Sequence, residues 1–264
     1  MVKVHSAAHT DKPKTQPRRI VIVMICVLVV VAFILTIVHG YRYYDTPIQI
    51  REFAKQNHIS IWQWPKELIE MLERNPETES FVLHYPLKKG VAAAIDLSEY
   101  QKSDGVPLFI QWDERWGYDT YAGELMGLSG CGPTCLSMVC AYLLNDLQYT
   151  PRYIAQFAEN NGYSVNGNGS TWTLISEGGE ELGLDVTEIP LVESRIIRNL
   201  EMGNPIICVM GPGDFTTTGH FIVLTEYVDG KVRVNDPNSQ HRSEALWDLP
   251  RVMEQMRNLW VCCA

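Results

Sequence analysis

Ser129-Gly130-Cys131-Gly132-Pro133-Thr134-Cys135-Leu136-Ser137-Met138-Val139 is the stretch whose reading decides the fold. Pro133 suits the first turn of a helix, where its missing N–H costs nothing. The apolar run behind it makes that helix a buried one. Glycines on both sides of Cys131 permit a tight turn and the close approach of a substrate. Cys131 is thereby placed at the N-terminus of a buried helix, where unpaired N–H groups and the helix dipole favour a thiolate. Its backbone N–H is also a candidate donor to an oxyanion. A cysteine merely packed at a helix start is the plain alternative, but packing explains neither glycine.

Downstream, further helices are expected from Pro151 to Glu159, Thr171 to Leu182 and Glu193 to Met202, with the first running from Pro133 to Leu144. Strands are expected from Pro205 to Met210, Phe221 to Tyr227 and Lys231 to Asn235. Helices followed by an antiparallel sheet indicate an α+β architecture.

Two residues in the strand region suit the chemistry of a thiolate. His220 heads an apolar strand in Gly219-His220-Phe221-Ile222-Val223-Leu224, and Asp236 follows the next strand in Val234-Asn235-Asp236-Pro237. A three-residue loop Val228-Asp229-Gly230, with Gly230 at a positive-φ bulge, pairs Tyr227 with Lys231 and Asp236 with Ile222. His220 and Asp236 then become diagonal neighbours on one face, roughly 7–8 Å apart at the backbone. A two-residue Asp229-Gly230 loop shifts the register by one and separates them. Taken singly, a structural histidine and a turn-forming aspartate before proline are the ordinary readings of these two residues.

The order Gly130-Cys131-Gly132-Pro133-Thr134, Gly219-His220-Phe221, Asn235-Asp236-Pro237 resembles cysteine peptidase family thirty-nine. The likeness is to the stand-alone relatives of bacteriocin-processing double-glycine peptidases, within the papain-like superfamily. Pro107-Leu108-Phe109-Ile110-Gln111-Trp112-Asp113-Glu114-Arg115-Trp116-Gly117 and Gly169-Ser170-Thr171-Trp172 extend it, and Pro65 through Tyr85 is similar to an N-terminal extension of some relatives. The resemblance implies a papain-like peptidase fold, with the nucleophile helix packed on an antiparallel sheet. It makes Cys131 the nucleophile, His220 the base, Asp236 the group that orients the imidazole, and Gln111 the side-chain donor of an oxyanion hole. Spacing alone does not single out Gln111, which stands twenty residues before Cys131. Trp112, Trp116 and Trp172 are expected in the core or groove wall.

Ahead of this domain, Ile20 to Val38 is apolar except for Thr36 and carries no charge, about the length of a membrane-spanning helix. Arg18 and Arg19 precede it, with Lys12 and Lys14 further back, so the positive-inside rule keeps residues 1–19 cytoplasmic and exports the chain beyond Val38. A secreted form after signal cleavage is the alternative, against which stands the poor cleavage site Ile37-Val38-His39-Gly40. Residues 41–105 are expected to link anchor and domain, with a short amphipathic helix beginning at Trp64-Pro65 and ended by Asn75-Pro76, then an extended stretch at Phe81-Val82-Leu83. The run Gln101-Lys102-Ser103-Asp104-Gly105 marks a loop before the domain at 106–264.

A formal net charge of −9 argues against a nucleic-acid partner. The seven cysteines follow no spaced disulfide framework. Cys131, Cys135 and His220 lack a fourth zinc ligand at ordinary spacing unless Cys262 or Cys263 supplies it, so neither metal nor cofactor is expected. The expected partner is a peptide or protein substrate, of cell-wall or secreted origin. The expected activity is an extracytoplasmic, membrane-anchored cysteine peptidase or amidase. An inactive peptide-binding surface module, or a wall-peptide amidase or acyltransferase with the same three residues, are the alternatives.

Overall fold

The computed structural model describes residues 17–101 and 105–264. Lys12, Lys14, Lys102, Ser103 and Asp104 lie outside the described residues, as do the side chains of Arg18 and Arg19. Helix α1 (Pro17–Asp45) opens the structure, its apolar side chains from Ile20 to Val38 exposed. By length and composition it suits a membrane span or a signal sequence. Beyond Val38 the helix continues to Asp45, and there Arg42 donates to the Trp64 carbonyl (2.6 Å) and lies over the Trp62 ring.

Three helices follow: α2 (Ile48–Gln56), α3 (Lys66–Arg74) and α4 (Glu79–Lys88), with a 3-10 turn at Pro76–Thr78 between the last two. Pro65 precedes α3 and Asn75-Pro76 ends it, as the sequence predicts. Phe81-Val82-Leu83, expected to be extended, lies inside α4. Aromatic and β-branched residues favour strand only weakly, and here Phe81 and Val82 gain more by burial in a helical cluster with Ile50, Trp64 and Leu68. Pro86, within α4, cannot donate to the Val82 carbonyl; the Trp64 indole does so instead (2.7 Å). Ile110, Trp112 and Tyr118 of the following domain complete the cluster and dock the extension on it.

The domain continues through the hairpin β1 (Thr120–Tyr121) and β2 (Glu124–Leu125), then α5 (Met126–Ser129), α6 (Cys131–Leu143) and α7 (Pro151–Asn160). A second hairpin, β3 (Ser164–Val165) and β4 (Gly169–Ser170), leads to α8 (Thr173–Glu181), β5 (Asp185–Glu188) and α9 (Glu193–Glu201). Next come β6 (Ile206–Met210), β7 (His220–Val228) and β8 (Lys231–Asn235). The chain closes with α10 (Gln240–Glu244), β9 (Leu246–Asp248), α11 (Leu249–Met253) and β10 (Met256–Cys263). The sheet order is β5-β10-β6-β7-β8-β9, antiparallel throughout.

Both sheet faces are covered. Leu136, Val139, Ile154 and Ile175 of α6–α8 pack on Ile207, Val209, Val223 and Trp260. On the other face Ile196, Leu200, Leu249 and Val252 of α9 and α11 pack on Cys208, Ile222, Leu224 and Val234. This is why β6 is buried at every position and reads as an unbroken apolar run. The architecture is the expected α+β. Strands β5, β9 and β10 were not expected from the sequence: β5 buries only Val186, and β10 begins with the polar Arg257-Asn258 after Met256.

Candidate active site

Cys131 is the first residue of α6 and is partly exposed, whereas every residue from Gly132 to Ala141 is buried. The chain's own packing requires the flanking glycines. A Cβ at Gly132 would stand 2.4 Å from the Ser170 hydroxyl of β4, and one at Gly130 would stand 2.5 Å from the Met126 carbonyl of α5. Both glycines have tighter neighbours than any side chain tolerates, so β4 and α5 close directly around the thiol-bearing turn.

The β7–β8 hairpin differs from expectation at its turn and agrees with it at the site. Val228 pairs with Lys231 across a two-residue Asp229-Gly230 loop, with positive φ at both residues (48° and 84°). That loop by itself moves the register by one. A bulge at Thr225 then moves it back: Glu226 pairs with Arg233, but Leu224 pairs with Val234 and Val223 with Asn235. Asp236 therefore arrives where the three-residue loop would have put it. Its carboxylate oxygen Oδ1 lies 2.8 Å from Nε2 of His220, with both side chains buried.

Asp236 has further partners that the sequence did not disclose. Arg242 Nε donates to Oδ2 (2.6 Å), and the Asn238 N–H donates to Oδ1 (2.8 Å). Arg242 reaches back because Ser239 caps α10, its hydroxyl accepting the Arg242 N–H (3.1 Å). A serine cap three residues before an arginine was the only local signal for this. The Asn235 amide donates to the carbonyls of Val106 and Pro107 (3.1 Å each), away from His220.

Burial works against charge on all three groups, and their mutual contacts outweigh it. Burial pushes the Asp236 carboxyl up, but His220 and then Arg242 hold it below the usual carboxylate range. Burial lowers His220, and the Asp236 carboxylate, with help from the Cys131 thiol, raises it well above an ordinary imidazole. Cys131 is pushed up by burial and brought below an ordinary thiol by hydrogen bonding and charge from His220, aided by the amides of Phe221 and Gly132. With Nε2 held by Asp236, the ring nitrogen left for the thiol is Nδ1.

Gln111 is buried, its Nε2 donates to the Gly127 carbonyl (2.9 Å), and its N–H donates to the Pro237 carbonyl (2.7 Å). Its Oε1 is buried without a hydrogen-bond partner among the described residues. Gln111 and Cys131 line the same cavity of about 460 Å³, together with His220, Asn238 and Arg242. A second cavity of about 470 Å³ shares Cys131 and His220 with it and is walled by Trp172, Val209 and Ser170. Trp116 is a core residue, Trp112 is buried and donates to the Asn238 carbonyl (3.2 Å), and Trp172 stands half exposed in the second cavity wall. Of the four residues singled out by the sequence, Cys131, His220 and Gln111 line one cleft, and Asp236 lies buried behind His220. Among the described residues no group of three or more metal-ligating side chains converges.

The model of the Peptidase_C39 like family matches residues 103–262 of the 264-residue chain. The chain belongs to this family. Among solved structures, the peptidase domain of Streptococcus ComA, a bi-functional ABC transporter involved in a quorum sensing pathway, is similar to this Peptidase_C39 like chain. The identity is 18%, the match covers 51% of this chain and 91% of that one, and the TM-score is 0.40. A C39-like peptidase from Bacillus anthracis is similar at 15% identity, over 60% of this chain and 94% of that one, with a TM-score of 0.39. No curated protein matches the chain. Family membership makes the protein cysteine peptidase-like; the extension α2–α4 lies ahead of the matched residues.

Proposed function

We propose that the protein is a membrane-anchored cysteine peptidase or amidase of papain-like mechanism, its catalytic domain outside the cytoplasmic membrane. The observation that carries this reading is a partly exposed thiol at a helix start, lining the same cleft as an imidazole held by a buried carboxylate. Cys131 attacks the substrate carbonyl as the thiolate, and His220 holds the proton it has taken. The tetrahedral oxyanion is met by the Cys131 N–H, one of the helix-start donors without an intrahelical acceptor, and by the second Nε2 hydrogen of Gln111. His220 then gives its proton to the leaving amine, which departs and leaves the thioester. Water, deprotonated by His220, attacks that thioester, and the acid leaves as Cys131 is restored. Asp236 keeps the ring oriented and stabilises its protonated form. Peptide or protein chains are the substrates this chemistry fits, with no metal or cofactor in the cycle.

The poise of the thiol is measurable without knowing the substrate. In the full chain in detergent, Cys131 is expected to alkylate with iodoacetamide near pH 6 faster than any other cysteine, because ordinary thiols, near 8.5, are almost wholly protonated there. Cys135, Cys140, Cys208 and Cys262 are buried, and burial raises each thiol, that of Cys140 to about 12. They should label only on unfolding. Mass spectrometry of the labelled peptides gives the ranking. Labelling of Cys131 no faster than the partly exposed Cys263 overturns the nucleophile and favours a peptide-binding module.

Topology is a separate test. Arg18-Arg19 before the uncharged run supports a cytoplasmic N-terminus. Protease added to intact cells should digest the chain beyond Val38 while uncut protein stays with the membrane. Release of the intact domain into the medium, starting near Gly40, indicates cleavage instead.

A further inference from the structure

The turn between α3 and α4 precedes the family-matched residues, yet it is fastened to the loop that carries Asp236. The Glu77 carboxylate accepts the Ser239 hydroxyl at Oε1 and the His241 N–H at Oε2 (3.0 Å). Asn75, beside it, donates from Nδ2 to the Asn238 carbonyl (2.8 Å). From Ser239 the connections run inward: its Oγ accepts the Arg242 N–H, Arg242 Nε donates to Asp236 Oδ2, and Asp236 Oδ1 meets His220 Nε2. Hydrogen bonds thus link Glu77 to Ser239 and Ser239 to the Arg242 backbone, and the Arg242 side chain carries the connection on to Asp236 and the imidazole. The Asn238 N–H, which also donates to Asp236 Oδ1, belongs to the residue that Asn75 holds by its carbonyl.

We propose that Glu77 is a positioning residue for hydrolysis, and that the extension is a working part of the site rather than a spacer behind the anchor. The inference rests on the reading of Cys131 and His220 as nucleophile and base. Helix α10 has five residues, too few to hold its own shape, so its first turn takes its geometry from what binds it. By accepting the Ser239 proton, Glu77 turns the lone pairs of that hydroxyl toward the Arg242 N–H. Without this acceptor the hydroxyl rotates, the Arg242 N–H loses its aligned partner, and the guanidinium, its backbone then tethered through the Arg242 carbonyl to Trp247, holds Oδ2 less firmly. Asp236 is then held only by the Asn238 N–H and His220 itself, and the imidazolium that lowers the thiol is less stabilised. Docking of the extension does not depend on Glu77, because Trp64, Leu68, Phe81 and Val82 pack on Ile110, Trp112 and Tyr118 independently of it. Asn75, Met71 and Arg74 also line the cavity beside Cys131, so the same turn forms one wall of the cleft.

The test compares the full chain in detergent with Glu77→Ala, Glu77→Gln and Ser239→Ala, following alkylation of Cys131 by iodoacetamide from pH 5 to 9 alongside thermal unfolding. Glu77→Ala and Ser239→Ala should each raise the midpoint by about one pH unit, slowing labelling at pH 6 about tenfold. Glu77→Gln should stay close to the wild-type profile, since its carboxamide oxygen can still accept the Ser239 hydroxyl and only the His241 N–H loses its acceptor. With a cleavable peptide, Glu77→Ala should lower kcat and leave KM in place. An unchanged profile in Glu77→Ala overturns the proposal. So does a loss that Glu77→Gln shares and that follows the unfolding midpoint, which marks a purely structural role; if Glu77→Ala does not fold, Ser239→Ala decides alone. Wild-type Cys131 that labels no faster than Cys263 overturns the nucleophile itself, a result distinct from either.

Discussion

Cys131→Ala is expected to lower hydrolysis by about 10⁴-fold or more, the scale on which loss of a nucleophile removes catalysis from a cooperating set. The fold should survive it. The side chain is partly exposed at the first position of α6, and alanine at that place removes one sulfur without opening a closed cavity, leaving the second His220 nitrogen facing the cleft. Such a change costs on the order of 1 kcal/mol, a shift of a few degrees in the unfolding midpoint. Cys135→Ala is the matched control, one helical turn further along. Its thiol is fully buried and held well above the ordinary range, first by burial and then by the charges of Cys131, Asp236 and Cys208, so it takes no part as a thiolate. Most activity should remain in that variant. Turnover of a peptide library by the full chain in detergent, read by mass spectrometry, measures both. Equal loss in the two variants, with stoichiometric zinc in the wild type, would replace the nucleophile by a metal site.

The nucleophile helix was legible because its signals are local: a proline in the first turn, an apolar run, and glycines whose need is steric. The hairpin shows a different case. The turn expected around Gly230 is the wrong one and the register is still right, because Thr225 inserts one residue that the two-residue loop had left out. A bulge has no signature at an ordinary Thr between Leu224 and Glu226, so only the pairing itself reveals it. Arg242 escaped notice for a related reason: its contact with Asp236 exists only once the chain after Pro237 has turned back on itself. Glu77 and Ser239 lie 162 positions apart, and no periodicity connects them. The features that escaped are therefore those that depend on distant segments meeting.

Asp236→Ala should reduce turnover about 10²–10⁴-fold, since it removes the group that orients the base. It also leaves Arg242 and the buried His220 without their carboxylate, a loss of about 3–5 kcal/mol that a marginal fold feels. Asp236→Asn is therefore the sharper variant. Its carboxamide oxygen can still accept from His220 Nε2, but its NH₂ would face the Arg242 guanidinium, and the charge is gone. Roughly a tenfold loss of activity is expected, equivalent to about one unit in the imidazole pKa.

The pH dependence of stability separates the two effects, best measured by urea unfolding in a Cys131→Ala background so that the thiol does not titrate. The folded Asp236 carboxyl lies below its unfolded value near 3.8. Its contribution is present above that value and lost as pH falls through the depressed folded one. The folded imidazole is raised above 6.5, chiefly by Asp236 against burial, so its contribution is full below 6.5 and lost as pH rises through the folded value. The pair is then most stabilising between about pH 4 and 6.5. The difference in unfolding free energy between the background and the same background carrying Asp236→Asn should peak in that window and shrink on both sides. A difference that stays constant from pH 3 to 9 means that no charge is exchanged between His220 and Asp236 on folding. The carboxylate would then act on the ring through shape alone, and the tenfold loss of activity would have to come from Arg242.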